Sequence, residues 1–229
     1  MPSDLSPIWI SLATSVTATA ITFVLGIAAA VWREKRTGAG FAIVDGLFLL
    51  PLVLPPTVVG FLLLLLFGRN GPLGRLLLRL DMTIVFSWPA TVIAAAVVSF
   101  PLMYITARAA LAQVDPELLN AARTLGATEW RVFRRVALPL AGPGILAGTI
   151  LSFARALGEF GATLMLAGDI PGRTETIPLA IYFAVESNEM SRAMMWSAID
   201  VAISLALLFA LYYWTQMQTA ARLRPGRTK

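Results

Sequence analysis

Arg155 and Glu159 stand one helical turn apart inside an otherwise apolar run, in the segment FARALGEFGAT at 153–163. Charges at such a depth are costly and usually face protein or a water-lined space. The spacing leaves two uses open. An i, i+4 pair can neutralise itself, or Arg155 can attract and pass a dianion. Asp45 and Asp200 are the other acids at or within apolar segments. Asp45 lies near a segment end, where it can reach water. Asp200 lies deeper and, with Glu159, suits proton carriage in an ion-coupled transporter. The chain has no cysteine and no histidine. That removes thiolate chemistry, disulfides, the usual zinc sites and histidine acid–base catalysis. No GxxxxGK[ST] run occurs, so the chain supplies no phosphate-binding loop of its own. No catalytic and no metal-binding residues are assigned.

The elements that must position these groups are membrane helices. Of 229 residues, 58% are hydrophobic and 14% charged, and apolar runs of about twenty residues recur along the chain. Five spans are expected, at Ile8 to Trp32, Phe41 to Phe67, Phe86 to Ala107, Leu138 to Ala167 and Ala193 to Met217. A sixth remains open, although Gly71 to Thr83 is short and charged for one. The opening MPSDLSPIWIS lacks a basic n-region, so the first run reads as a retained span. The second span holds Pro51, Pro55 and Pro56 and must bend or break. A broken helix in lipid needs protein or a water-lined cavity to satisfy its carbonyls, so Pro55 and Pro56 are candidate pathway or gating residues with Arg155 and Glu159; a kinked packing helix is the alternative. Gly158 and Gly161 flank Glu159 and permit close helix approach or a local bend, and Gly144 and Gly148 form a small-xxx-small face suited to helix packing within the chain. Thr174 to Ser187 is apolar but too short to span, and reads as an interfacial or re-entrant segment.

Basic residues set the expected orientation. Arg33, Lys35 and Arg36, then Arg108, Arg123, Arg131, Arg134 and Arg135, then Arg222, Arg224, Arg227 and Lys229 fall on one side; Arg69, Arg75, Arg79, Arg173 and Arg192 fall on the other. The richer side is assigned to the cytoplasm, with the N-terminus outside and the C-terminus inside. The net charge of +5 is no nucleic-acid signal, because the basic residues flank the spans.

Between the third and fourth spans lies a polar, helix-forming loop. Asp115, Pro116 and Glu117 make a strong helix start. Leu118, Ala122 and Leu125 fall at i, i+4 and i+7 and give an apolar stripe. Gly126 ends the helix, Thr128 opens a second one with Glu129, Trp130, Val132 and Phe133 in its first turns, and Pro139 marks entry into the fourth span. A basic surface loop resting on anionic lipid would explain Arg131, Arg134 and Arg135, but not two helices divided at a glycine.

The stretch NAARTLGATEWRVFRRVALP at 120–139 resembles the "EAA" loop of ABC-importer permeases. Ala121, Ala122, Gly126, Leu138 and Pro139 match that pattern, Val136 takes its β-branched position, and Asn120 replaces its glutamate. LLPLVLPPTVVG at 49–60, with FGRNG at 67–71, SFPL at 99–102 and FARALGEFGAT, is similar to the molybdate type within that family. The resemblance implies an all-α integral membrane protein, a single permease domain over 1–229 of type I importer form, with a cytoplasmic coupling loop at about 108–139. It implies a non-catalytic inner-membrane subunit that forms the pathway as a homodimer. Two ATP-binding subunits would use the ATP and magnesium, with no cofactor on this chain, and an extracytoplasmic binding protein would deliver the oxyanion. Leu118, Asn120, Ala121, Ala122, Leu125, Gly126 and Ala127 would meet the ATPase. Molybdate is the implied cargo, with tungstate or sulfate the alternatives; a proton-coupled carrier using Glu159 and Asp200 is the rival of another class.

Overall fold

The computed structural model describes residues 5–34, 36 and 38–222. Lys35, Arg224, Arg227 and Lys229, which contribute to the expected charge asymmetry, lie outside them. Among the described residues all regular structure is helical. Two compact units are distinguished, Met1–Leu179 and Ala180–Lys229.

In the first unit α1 (Ser6–Glu34) packs along α5 (Trp88–Ala112). The buried face of α1 carries hydroxyls, yet they are satisfied. Ser15 and Thr19 donate to the carbonyls of Ser11 and Ser15, and the Thr14 hydroxyl pairs with Thr91 of α5 at 2.9 Å. Such back-bonding removes the cost of burying a hydroxyl in an apolar contact.

The second expected span is broken, as its prolines require. α2 (Ala39–Val53) and α3 (Pro56–Phe67) meet at a bend of 114°. Leu54, which precedes Pro55, is extended at φ −71°, ψ 143°, the conformation forced on a residue before proline. Pro56 then opens α3 at a position that needs no donor. The pair still traverses the bundle. Phe48 and Leu49 of α2 pack by Tyr104 and Ala107, whereas Val59 and Leu63 of α3 pack by Ala90, Ala94 and Val98. From Ala90 to Arg108 α5 rises about 27 Å, close to the hydrocarbon thickness of about 30 Å.

The fourth span differs from expectation at both ends. It extends back through α7 (Glu129–Val132) and a π-helical stretch, Phe133–Ala137, into α8 (Leu138–Leu157) without interruption. Pro139 therefore lies within a continuous helix. It has no N–H and would clash with the carbonyl one turn back; the wider π turn, in which Leu138 donates to Phe133, absorbs the misfit. At its other end the helix does not continue to Ala167. It stops at Leu157 and restarts as α9 (Gly161–Ala167). Gly144 and Gly148 pack within the chain: a Cβ on Gly144 would stand 2.6 Å from that of Ala110, and one on Gly148 would run into Thr106.

Between α3 and α5 only a seven-residue helix forms, α4 (Pro72–Leu78), too short to cross. The segment expected at 174–187 is a ten-residue helix, α10 (Ile177–Glu186). In the second unit α11 (Met190–Arg222) covers the expected fifth span. Four helices are long and apolar enough to cross a membrane among the described residues, or five with the bent pair. The loops after α1 and α5 share one end of the bundle, because Arg33 and Arg108 both reach Asp45. Asp45 was expected to reach water and is held by protein instead.

Candidate coupling helix and intramembrane break

The polar loop folds into α6 (Pro116–Thr124), a turn, and α7. Asp115 caps α6, its carboxylate accepting the Glu117 N–H at 2.8 Å, and Pro116 follows at the first position. The C-terminal turn is a Schellman motif. Gly126 N–H donates to Arg123 O at 2.9 Å and Ala127 N–H to Ala122 O at 3.1 Å, with Gly126 at φ 80°. Glycine adopts that left-handed conformation without the Cβ clash other residues meet. Arg123 then clamps the hairpin: its Nε donates to Glu129 Oε1 at 2.7 Å and its Nη1 to Asn120 Oδ1 at 2.8 Å. The hydrogen bond to Glu129 raises the Arg123 pKa above its ordinary value. This clamp escaped the sequence reading, because residues six apart across a glycine turn follow no helical spacing.

The expected stripe of Leu118, Ala122 and Leu125 divides. Leu119 is the α6 side chain that packs on the core, Ala122 is half-buried, and Leu118 and Leu125 are exposed, Leu125 at 88%. No residue of α6 is buried. A nine-residue helix touching the bundle at so few points is held by its caps and the Arg123 clamp, and it presents Leu118, Ala121 and Leu125 outward. Leu118 and Leu125 thus leave apolar area exposed on a polar, well-capped hairpin.

The second feature lies where the two broken helices meet. Gly161, the first residue of α9, approaches α3 so closely that a Cβ there would stand 3.1 Å from Pro56 Cβ and 3.1 Å from Thr57 N. One turn along α3, a Cβ on Gly60 would lie 2.7 Å from the Ala162 Cα. The break at Pro55–Pro56 and the break at Gly158–Phe160 therefore sit at one level. Four residues singled out from the sequence, Pro55, Pro56, Arg155 and Glu159, belong to this meeting point.

Glu159 explains the second break. Its Oε1 accepts the Ala162 N–H at 2.8 Å, capping α9, and its Oε2 lies 2.9 Å from Arg155 Nη1. The latter contact is ionic, without good hydrogen-bond alignment. Glu159 is almost wholly buried, with 1% of its side chain exposed, against 29% for Arg155. The i, i+4 ion pair thus forms, and both carboxylate oxygens are engaged. Arg155 has no other hydrogen-bond acceptor among the described residues, so the guanidinium keeps donors free on its open side. Asp200 is in α11 and keeps a buried Oδ1 without a partner. No cluster of metal-ligating side chains occurs among the described residues. Neither Gly60 nor Thr57 was singled out from the sequence; only the packing identifies them.

Comparisons with known proteins agree on one family. The profile described as "Binding-protein-dependent transport system inner membrane component" matches residues 22–225. The molybdenum transport system permease protein ModB of Escherichia coli strain K12 is 44% identical over 227 residues, covering 96% of this chain and 98% of that protein. The sulfate transport system permease protein CysT of the same strain is 35% identical, covering 88% and 73%. Among solved structures, the inward-facing MetNI methionine ABC transporter superposes at a TM-score of 0.70 with 17% identity, covering 92% of this chain and 94% of that one. At that identity the likeness speaks for the fold.

Proposed function

We propose, from the premise that this chain belongs to the family of binding-protein-dependent transport system inner membrane components, that its cargo is molybdate. The chain is a non-catalytic, multi-pass inner-membrane permease of an ABC importer, working with a separate ATPase and a binding protein. The observation that carries the cargo is the 44% identity to a molybdenum permease over nearly the whole of both chains, against 35% to the sulfate permease.

In this reading two copies enclose the pathway and each receives one ATPase subunit on α6. Leu118, Ala121 and Leu125 fill a groove of the ATPase, and the Gly126 turn sets the angle at which α7 and the fourth span take up its movement. The Asn120 Oδ1 is taken by Arg123, which donates to it, so the docking surface depends on the leucines and small residues beside it. ATP binding favours one of two arrangements of the spans through its differential contacts with them. The paired breaks beside Pro56 and Gly161 let α2 and α8 tilt while α3 and α9 stay packed. Arg155 passes the dianion at that level, balanced by Glu159 when the pathway is empty. Selectivity rests in the binding protein, and no tight cargo site is needed here.

Uptake of labelled molybdate into proteoliposomes containing this chain, its ATPase and its binding protein tests the reading. ATP-dependent uptake blocked by tungstate but not by sulfate is expected. Competition by sulfate would move the cargo to the sulfate class, and uptake driven by a proton gradient without ATP would return the argument to Glu159 and Asp200. In the same vesicles Arg155→Ala is expected to lower uptake about tenfold, a loss of about 1.4 kcal/mol. Normal uptake with a lower melting temperature would leave Arg155 only its ion pair.

The orientation proposed has the N-terminus outside and the α6 hairpin inside, following the basic residues. A protease-sensitive tag at the N-terminus should be cleaved in spheroplasts whose inner membrane is sealed. Protection of that tag would reverse the topology.

A further inference from the structure

Asp45 is held by two other helices. Arg33 Nε of α1 donates to Asp45 Oδ1 at 2.9 Å, the Tyr104 hydroxyl of α5 donates to the same oxygen at 2.5 Å, and Arg108 Nη1 of α5 donates to Oδ2 at 3.0 Å. The Asp45 side chain is 17% exposed, that of Arg33 11% and that of Arg108 43%. Nearly one turn further on, the Phe48 ring meets Phe100 and Tyr104 edge-on at 5.4 and 5.1 Å. The middle of α2 is thus fastened to α5 by charge and aromatic contact. Its C-terminal end, five residues past Phe48, runs into the break at Pro55.

Three observations make this fastening part of a transmission. Only Gln113 and Val114 separate α5 from the α6 cap at Asp115, and Val114 is buried, so α6 and the end of α5 are closely coupled. Leu119 of α6 and Phe48 and Leu49 of α2 pack on the same cluster, which includes Tyr104, Leu111 and Val114. Finally, two guanidiniums share one carboxylate. Arg33 is deep and belongs to α1; Arg108 is the open member and lies one turn from the end of α5. Movement of that end changes the Arg108 contact first, while Arg33 keeps the carboxylate paired. The half-buried carboxylate is never left unpaired, which makes the exchange feasible.

We propose that the Asp45–Arg108 contact is the joint through which displacement of α6 is passed to α2, and so to the break at Pro55–Pro56. Asp45 and Arg108 are positioning residues for transport. The proposal rests on α6 being the ATPase-coupling helix.

The test uses the complete transporter in proteoliposomes, with ATP hydrolysis, molybdate uptake and the thermal midpoint measured together. Arg108→Gln removes the open contact and leaves the Arg33 pair. Its hydrolysis should stay within about twofold of wild type while uptake per ATP falls about tenfold, the scale of a typical coupling free energy. Arg108→Lys keeps the charge and should stay near wild type. Asp45→Asn should lose at least as much as Arg108→Gln. Unchanged uptake per ATP in Arg108→Gln overturns the joint. So does a proportional fall of hydrolysis and uptake with a lowered midpoint, because the cluster would then be only a brace. Wild-type complex without ATP-driven uptake overturns the functional reading itself, and the joint with it.

Discussion

Gly126→Val is expected to uncouple the transporter, with ATP hydrolysis retained and molybdate uptake per ATP lowered about tenfold or more. The effect comes from the backbone. Gly126 sits at φ 80°, and a Cβ there meets nothing within 4 Å, so valine has room but not the conformation. An L-residue in the left-handed region costs roughly 1–2 kcal/mol, and a β-branched one more. If the turn refolds to escape that strain, the bonds from Gly126 to Arg123 and from Ala127 to Ala122 are lost, at about 0.5–1.5 kcal/mol each. Either way the angle between α6 and α7 is no longer fixed, and the Arg123–Glu129 clamp across the turn is strained with it. Asparagine tolerates the left-handed region, so Gly126→Asn should keep most of the coupling. Valine and asparagine variants with equal, normal uptake per ATP would remove the turn from the mechanism.

Much of this architecture was legible because the signals were local. The paired Pro55 and Pro56 mark the break, Leu54 before them being extended, although Pro51 is accommodated within α2, and Asp115-Pro116-Glu117 with Gly126 bounds α6 by capping chemistry alone. The Arg155–Glu159 pair forms at its i, i+4 spacing even though α8 ends between the two residues, at Leu157. What was missed depends on contacts distant in sequence. Nothing near Asp45 indicates that Arg33, Tyr104 and Arg108 converge on it. The span expected to reach Ala167 allows a local bend at Gly158 and Gly161 but not a full break after Leu157, since a glutamate between two glycines signals a cap only once its side chain is seen to take the Ala162 N–H. Pro139 was read as the start of a span, because the π turn that accommodates it has no compositional mark. The stripe on α6 was placed by periodicity, yet a helix so short is oriented by its caps and by Leu119, and this turned Leu118 and Leu125 outward.

The strongest effect on the fold is expected at Gly60. The ideal Cβ there lies 2.7 Å from the Ala162 Cα and 2.8 Å from the Met165 Cβ. The first of these is backbone, so no rotamer change relieves the clash. Alanine already forces α3 and α9 apart, and valine forces them further. Overpacking of this kind costs about 1–3 kcal/mol and at times more, and here it falls on the contact that holds both half-helices together. Gly60→Val should lower the melting temperature of the purified complex by roughly 5 °C or more, and uptake should fall with it, because Gly161 and Thr57 separate and the two breaks lose their common level. Gly142 provides the contrast within the same membrane domain. It lies in α8 with nothing within 4 Å of its ideal Cβ, so alanine meets no obstacle and raises helix propensity by about 1 kcal/mol. Gly142→Ala should therefore match or exceed wild type in both measurements. If Gly60→Val behaves like Gly142→Ala, α3 and α9 are not in the contact described, and the alignment of the two breaks at Pro56 and Gly161 loses its basis.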